Sequence, residues 1–498
     1  MNKLRNSAIF LSALVGGQTG IAQTQSPKMD ESKPQTDKMN VIFIVCDDLN
    51  ADLGSFDDSI VKTPNLDRIR KHAVRFNNAY CQYPLSGPTR ASFLTGYSPD
   101  RTKVTDLTTN FRTAMPDAVT LPQLFKNNGY QTIRVGKVYH ANVPADIGHD
   151  GVMDDKESWT KKWNPVGIDK TMEEHVHIVT PQLVRGNRIG GSLAYLEIPG
   201  SDDEHTDAIG ANIACMEIHN NKSKPFFLAM GFYRPHTPYI APSKYFKMYP
   251  WQDMPLPDIP ADDWDNKPSC ARTSPGINFG LPDEELKKAK AAYYATLTFM
   301  DAQIGKILDK LDKEGLAGNT AIVFVGDNGY NLGQHGQWQK QMLFEHATRV
   351  PLMISVPGLT NGKDSYDKPV ELLDIYPTLA AVCGLKAPDD LDGRDISPLL
   401  KDVNTPWNEN AYSIQTRKPG AFKSTVKEFT IGRSVRTERY RYTEWNDGRA
   451  GGELYDYRND PTEHYNLYNN NKKYKKLQVQ LADDLHRHFA DIIAKDKK

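Results

Sequence analysis

The sequence predicts an α/β sandwich built on a large, mostly parallel sheet, and three observations carry that expectation. Residues 40–46 (NVIFIVC), 225–231 (PFFLAMG) and 320–325 (TAIVFV) are near-continuous apolar runs, the pattern of strands buried on both faces. Amphipathic helical spacing lies between them, longest over residues 284–313, with Gly315 as a stop signal. Strands alternating with helices favour crossover connections and therefore parallel pairing.

The elements follow in order. Residues 1–22 read as a secretory signal: Lys3 and Arg5 form a basic start, residues 7–17 a short apolar run, and Gly20-Ile21-Ala22 a small-residue cleavage site. Cleavage after Ala22 would deliver a periplasmic or secreted protein. No cysteine follows that site, so no lipid anchor is expected, and no later run reaches 18 apolar residues. Residues 23–38 are polar and read as a flexible lead-in. Folding is expected from Met39. Helical patterns cover 65–75 and 121–128, residues 131–135 read as a strand ending in Gly136, and 352–356 as another strand before a helix around 372–382. Past residue 405 the pattern changes. Residues 433–435, 439–445 and 452–457 alternate as short strands, and 472–494 closes the chain as a Lys-rich amphipathic helix. The expected organisation is a catalytic domain over 39–405 and a small antiparallel subdomain over 406–498.

Composition excludes several functions. With 61 Lys+Arg against 62 Asp+Glu the net charge is -1, so no global field favours nucleic acid or an anionic membrane. Any anionic ligand must be held by a local cluster of cations. The five cysteines are widely spaced without a CxxC pair, which excludes a disulfide scaffold and a zinc module, although one disulfide remains open.

Ligands of open α/β sheets sit beyond the carboxyl ends of strands. Two strands here run into acid-rich turns, Cys46-Asp47-Asp48 and Gly326-Asp327-Asn328. Four oxygen side chains converging from two strand ends suit a hard divalent cation, Ca²⁺ ahead of Mg²⁺. Residues 85–96 (LSGPTRASFLTG) form a loop entering a helix, with Pro88 in the first turn, Ser86 just ahead of it and Arg90 one turn on. Lys137 and His140 follow one strand in GKVYH. His236 follows another in YRPHTP. His335 and Lys340 lie in LGQHGQWQK.

The S-x-P-x-R-x4-T-G pattern of residues 86–96 resembles the signature of the type I sulfatases. The remaining motifs occur in that family's order from about residue 40 to 467. GKVYH, the PH-x-P loop, LGxHG-x-W-x-K and the RYRYTEW tail lean toward the iduronate-2-sulfatase branch. The resemblance implies an alkaline-phosphatase-like sandwich in which Ser86 is oxidised to Cα-formylglycine. One hydroxyl of its hydrate attacks sulfur and the second later expels sulfate, dividing one hard step into two easier ones. It implies that Asp47, Asp48, Asp327 and Asn328, with the modified Ser86, hold Ca²⁺. Arg90 steadies the hydrate, and Lys137 and Lys340 bind sulfate. His140 acts as base, His236 as acid, and His335 lines the site. The implied substrate is the 2-O-sulfate of a uronic acid in glycosaminoglycan fragments. Arg101, Lys103 and Arg112 are candidates for a carboxylate or a neighbouring sulfate, and specificity is expected from residues 101–112 and 142–188. A serine in place of the animal enzymes' cysteine implies an anaerobic radical-SAM maturase as partner and a bacterial source. The alternatives are sulfatase action at another glycan position, a phosphatase or phosphodiesterase on the same fold, and an inactive carbohydrate-binding protein.

Overall fold

The computed structural model describes residues 38–56, 60–184, 189–274, 276–362, 364–419, 426–468 and 471–496. The expected signal and most of the lead-in lie outside them. The central sheet contains β1 (Asn40–Asp47), β2 (Ala73–Tyr80), β3 (Gln131–Gly136), β4 (Lys161–Trp163), β5 (Phe226–Pro235), β6 (Thr320–Gly326), β7 (Arg349–Ser355), β8 (Ser365–Tyr366) and β9 (Val370–Glu371). Their order is β8-β2-β7-β6-β1-β5-β3-β4, with β9 also on β2. From β6 through β1, β5 and β3 to β4 every pairing is parallel. Only β7 runs antiparallel, to β6 on one side and β2 on the other.

The apolar run of β1 explains its central place. Ile42, Ile44 and Cys46 face one hydrophobic core, and Val41, Phe43 and Val45 face the other, the two-residue alternation of a strand read on both faces. The helices divide accordingly. On the first face pack α2 (Thr206–Asn220) and α3 (Asp283–Lys313). On the second pack α1 (Ser86–Thr95), Leu121–Asn127 and Ile375–Val382. Every residue of α1 is buried, so this helix has no solvent face and the chemistry it carries is enclosed from its first turn. Its stability comes from packing, since ten isolated residues would be marginal in water.

Two strands depart from expectation. The helix expected over 65–75 ends at Arg70, and residues 73–80 form β2. Its polar residues hid it. Arg75 donates to the Ser55 carbonyl at 2.8 Å, and β7 supplies the pairing that local sequence does not record. The C-terminal sheet has four strands where three were expected: β10 (Ala411–Arg417), β11 (Thr430–Arg436), β12 (Tyr440–Trp445) and β13 (Gly452–Asp456), all antiparallel. The closing helix, α4 (Asn471–Asp496), lays Leu481, Leu485 and Phe489 against Tyr412, Ile414, Val435 and Leu454.

This sheet is bound to the central one by specific polar contacts. Glu345 accepts from Arg441 (2.6 Å) and Arg436 (3.3 Å) of the C-terminal sheet, from Tyr457 (3.0 Å) and from Tyr80 of β2 (2.8 Å). Ser413 donates to the Cys81 carbonyl and the Ile414 N–H to the Gln82 carbonyl. The C-terminal sheet therefore leans on the segment that leads into α1.

Burial alone would raise the Glu345 carboxyl, but Arg436, Arg441 and Arg349 outweigh it and hold the group well below the ordinary range. A depressed acid stabilises the fold above its unfolded pKa, about 4.3, and loses that contribution as pH falls through the folded value. Glu345→Gln is expected to cost about 3–5 kcal/mol at pH 7, because it leaves buried arginines uncompensated. In urea denaturation the gap to the wild type should narrow as the pH is taken below 4. An equal gap at both pH values would refute the assignment.

Candidate active site

The two acid turns meet as expected. Asp47 ends β1 at a register shift against β5, where Cys46 pairs Phe232 but Asp47 pairs Pro235. Asp48 follows in the left-handed region, at φ 61°, a strained conformation for a residue with a Cβ. Asp327 leaves the end of the neighbouring β6, and its N–H donates to the Cys46 carbonyl at 3.1 Å. One Asp327 oxygen then accepts from the Asp48 and Asn328 N–H groups at 2.9 and 2.8 Å. Carboxylate oxygens of Asp47, Asp48 and Asp327 lie within 4.8 Å of one another, all buried.

Ser86 opens α1 above this cluster and is 1% exposed. Its hydroxyl donates to Asp47 at 2.9 Å and approaches the Asn328 amide oxygen at 3.4 Å. Three cations oppose the three acids. Arg90 bonds Asp327 (2.8 Å) and Asp47 (3.3 Å) and also holds the Lys137 and Val138 carbonyls. Lys137 pairs with Asp47 at 2.5 Å. Lys340 pairs with Asp48 and donates to the Ser86 oxygen at 3.1 Å.

Backbone geometry aims Lys137. It follows Gly136, which has φ 70°. A Cβ on Gly231 of β5 would stand 1.9 Å from the Lys137 carbonyl oxygen, so only glycine permits the approach that turns Lys137 toward Asp47.

Burial raises the Asp48 and Asp327 carboxyls, with Lys340 and Arg90 respectively opposing it. For Asp47, Lys137, His236 and Arg90 outweigh burial and hold the group well below its ordinary value. The His140 ring is buried with both nitrogens lacking a hydrogen-bond partner. Burial, aided by Lys137, holds it well below the usual histidine value, so it carries a free lone pair. His236 bonds the Thr237 carbonyl through Nδ1 at 2.6 Å, leaving Nε2 3.6 Å from Asp48. Burial, with Lys340 and Lys137 adding to it against Asp47, lowers its pKa to about 3.

The donor set fits a hard cation: carboxylate and amide oxygens converge and no sulfur or imidazole nitrogen is needed. Asp263, His335 and His464 also converge. There Lys267 sits 2.8 Å from Asp263, and both imidazoles bond the same carboxylate, so hydrogen bonding accounts for that group.

The structure brings together Asp47, Asp48, Ser86, Arg90, Lys137, His236, Asp327, Asn328 and Lys340, with His140 beside Lys137. It does not bring in Arg101, whose guanidinium is taken by Asp390 and Asp392 at 2.7 and 3.1 Å. Arg112 is likewise held by Asp155, and Lys103 by Asp496. His335 packs on Phe344, Trp264 and His464 and bonds Asp263, none of them part of the Ser86 cluster.

Several supporting residues were not anticipated. Thr89 donates to the Asp327 carbonyl at 2.8 Å, one turn into α1. Tyr293 donates to the Asp48 carbonyl and accepts from the Asn50 N–H, bracing the left-handed turn. Arg234 spans the His236 and Pro238 carbonyls and pairs with Asp169. An arginine inside an otherwise apolar strand was the available signal for it.

Lys340 borders a cleft of about 820 Å³. Its lining includes Thr105, Asp106 and Leu107 from one expected specificity segment and Gln182 and Leu183 from the other. Thr273, Ser274, Gly276, Phe279 and Gly280, with Gln415, Thr416 and Lys418, add walls that the sequence did not indicate.

Residues 39–385 match the Sulfatase family, and residues 333–491 match the family described as N-sulphoglucosamine sulphohydrolase, C-terminal. The chain is 32% identical over 478 residues to a protein named Sulfatase from Formosa agariphila, covering 92% of this chain and 89% of that one. It is 30% identical over 522 residues to Iduronate 2-sulfatase from Homo sapiens, covering 89% and 93%. Among solved structures it is similar to the phosphonate monoester hydrolase of Agrobacterium radiobacter, with a TM-score of 0.74, 21% identity and coverage of 91% and 96%. That likeness speaks to the fold, an alkaline-phosphatase-like sandwich.

Because Arg90 is the buried cation shared by Asp47 and Asp327, Arg90→Met is expected to cost about 3–5 kcal/mol in metal-free protein. Urea unfolding measures it. A variant as stable as the wild type would show that the guanidinium does not compensate these acids.

Proposed function

The chain belongs to the sulfatase family, and on that footing we propose that it hydrolyses sulfate esters of carbohydrates, with the 2-O-sulfate of a uronic acid in glycosaminoglycan fragments as preferred substrate. The observation that carries this reading is Ser86. Its oxygen lies against Asp47 and against Lys340, which borders the cleft, with Lys137 on the other carboxylate oxygen of Asp47. Two lysines flanking one nucleophile suit the oxygens of a sulfate, which each ammonium meets as a point charge. The cleft walls support a sugar: Gln182, Gln339, Gln341, Gln415, Thr273 and Ser274 offer amides and hydroxyls, and Lys418 offers a cation to a carboxylate.

Asp47, Asp48, Asp327 and Asn328 would hold the metal, read as Ca²⁺. When bound it supplies electrostatic stabilisation of negative charge on the sulfate and on the nucleophilic oxygen. Oxidation of Ser86 to formylglycine would give that position an aldehyde that adds water to form a hydrate, one hydroxyl of which attacks sulfur while the other, once deprotonated, expels sulfate and restores the aldehyde.

The protein's own groups divide the remaining work. Arg90 keeps Asp47 and Asp327 in place beneath Ser86. Lys137 and Lys340 bind and orient the sulfate. His140, neutral with a free lone pair, accepts a proton from the residue-86 oxygen. His236 has its Nδ1–H committed to the Thr237 carbonyl, so Nε2 is the atom that takes up a proton as sulfate binds and then passes it to the departing alcohol. Burial is the main reason both imidazoles are hard to protonate, with the lysines adding to it; sulfate bound between the two lysines offsets that added charge and raises the affinity of both rings for a proton.

The test uses protein matured by an anaerobic maturase and assays sulfate release from 2-O-, 6-O- and N-sulfated glycosaminoglycan disaccharides, with a phosphate ester as control. Release from the 2-O-sulfated uronate supports the full reading. Release only from another position retains the sulfatase and overturns the substrate. Ser86→Ala should abolish turnover, and activity above about 1% of wild type would remove Ser86 as nucleophile. Lys137→Ala and Lys340→Ala should each cost about 2–4 kcal/mol in kcat/KM. Chelation with EGTA should abolish activity and Ca²⁺ should restore it. Full activity in chelator would rule out the metal.

A further inference from the structure

Lys340 is held in an unusual way. Its two chain neighbours both occupy the left-handed region, Gln339 at φ 71° and Gln341 at φ 70°, where residues with a Cβ are uncommon. Such a segment keeps its shape only when its surroundings over-determine it. The ties on the Gln339 side are neutral. Its side-chain amide donates to the Gly191 carbonyl at 3.0 Å, and its own carbonyl accepts from the Asn331 amide at 2.9 Å. On the other side the Gln341 N–H donates to the Pro84 carbonyl at 3.0 Å, two residues before Ser86. The Gln341 carbonyl accepts from the Arg417 guanidinium at 2.6 Å.

Arg417 ends β10 in the C-terminal sheet and is 1% exposed. Its other hydrogen bonds go to the Cys270 carbonyl at 3.0 Å and the Thr416 carbonyl at 3.4 Å, and its guanidinium lies 5.4 Å from the Trp445 ring centroid. All three bonds end on carbonyls, and among the described residues no carboxylate pairs with this buried cation. Burial pulls its pKa down to about 10, which leaves it charged at neutral pH. Desolvating a guanidinium for carbonyl partners is expensive. A neutral donor would serve to join strands, whereas the planar fork of arginine grips several carbonyls in fixed directions at once.

We propose that Arg417 is a positioning residue for Lys340: by gripping the Gln341 carbonyl from the C-terminal sheet, it fixes the left-handed segment that delivers the Lys340 ammonium to Ser86 and Asp48. The inference rests on the reading of Lys340 as a sulfate-binding cation. It makes the C-terminal sheet part of the catalytic geometry without contact between Arg417 and substrate. The preceding sheet residue and the following one, Thr416 and Lys418, line the same cleft, so one strand end both walls the cleft and sets the lysine at its edge.

A double-mutant cycle tests this. Arg417→Met and Arg417→Lys are made in the wild-type and Lys340→Ala backgrounds, matured, and assayed for sulfate release from the sulfated disaccharide that the wild type turns over, with inorganic sulfate as competitive inhibitor. Arg417→Met is expected to lower kcat/KM at least 30-fold and weaken sulfate inhibition when Lys340 is present. In the Lys340→Ala background the same change should cost less than threefold. Arg417→Lys should fall between, since it keeps the charge and loses the fork. It carries the cycle alone if the Met variant does not accumulate. Equal losses in both backgrounds would overturn the proposal and leave Arg417 a general stabiliser. If Lys340→Ala itself changes neither kcat/KM nor sulfate inhibition, the sulfate-site reading falls, and this inference with it.

Discussion

Three carboxylates with oxygens within 4.8 Å of one another are the constraint around which this molecule is organised. Like charges so close in a buried place repel strongly unless cations are fixed among them. Much of the surrounding architecture delivers those cations. The glycine contact between β3 and β5 turns Lys137 inward, the enclosed helix α1 brings Arg90 one turn after Ser86, and the left-handed pair around Lys340 brings the third. The acids depend equally on the strands: adjacent parallel partners, β1 and β6, end at one level, and the Asp327 N–H bonds back to the Cys46 carbonyl. A one-residue slip of either strand would carry an acid to the opposite face.

The parts of this arrangement that were legible in the sequence are those written locally. Apolar runs marked β1, β5 and β6, helical spacing marked α3 and α4, and the acids showed themselves by following strands. The chain-local motifs held most of the cluster. What escaped depends on distant partners. β2 carries Arg75, Asn77 and Asn78, and its pairing with β7, β8 and β9, all distant in sequence, makes it a strand. The support that Tyr293 gives the acid turn, and the Asp169 carboxylate that holds Arg234 beneath the histidine turn, both cross long stretches of chain. Arg101 shows the converse case: its charge is spent on Asp390 and Asp392, nearly 300 residues later. Charge alone in a sequence does not tell whether a cation is free.

The C-terminal region is more than an appendage. Its sheet touches the chain leading into α1 through Ser413 and Ile414, is tied to β2 through Glu345, and contributes Gln415, Thr416 and Lys418 to the cleft. The matched regions of the two families also overlap, at residues 333–385, across the segment that holds Lys340. The antiparallel strands begin at Ala411, and the chain from there on shares the cleft with the central sheet's loops.

All five cysteines are unpaired, and three of them, Cys46, Cys81 and Cys270, are buried beside structural or catalytic elements. The fold is thus held by packing, hydrogen bonds and ion pairs without a covalent staple. Reaching it requires no oxidant, so this chain can complete its architecture in a reducing environment as readily as in an oxidising one. Recovery from denaturant should therefore be indifferent to thiol reductants, and the material to protect during handling is the buried thiol set, whose alkylation in the unfolded chain would put bulk where the core has no room.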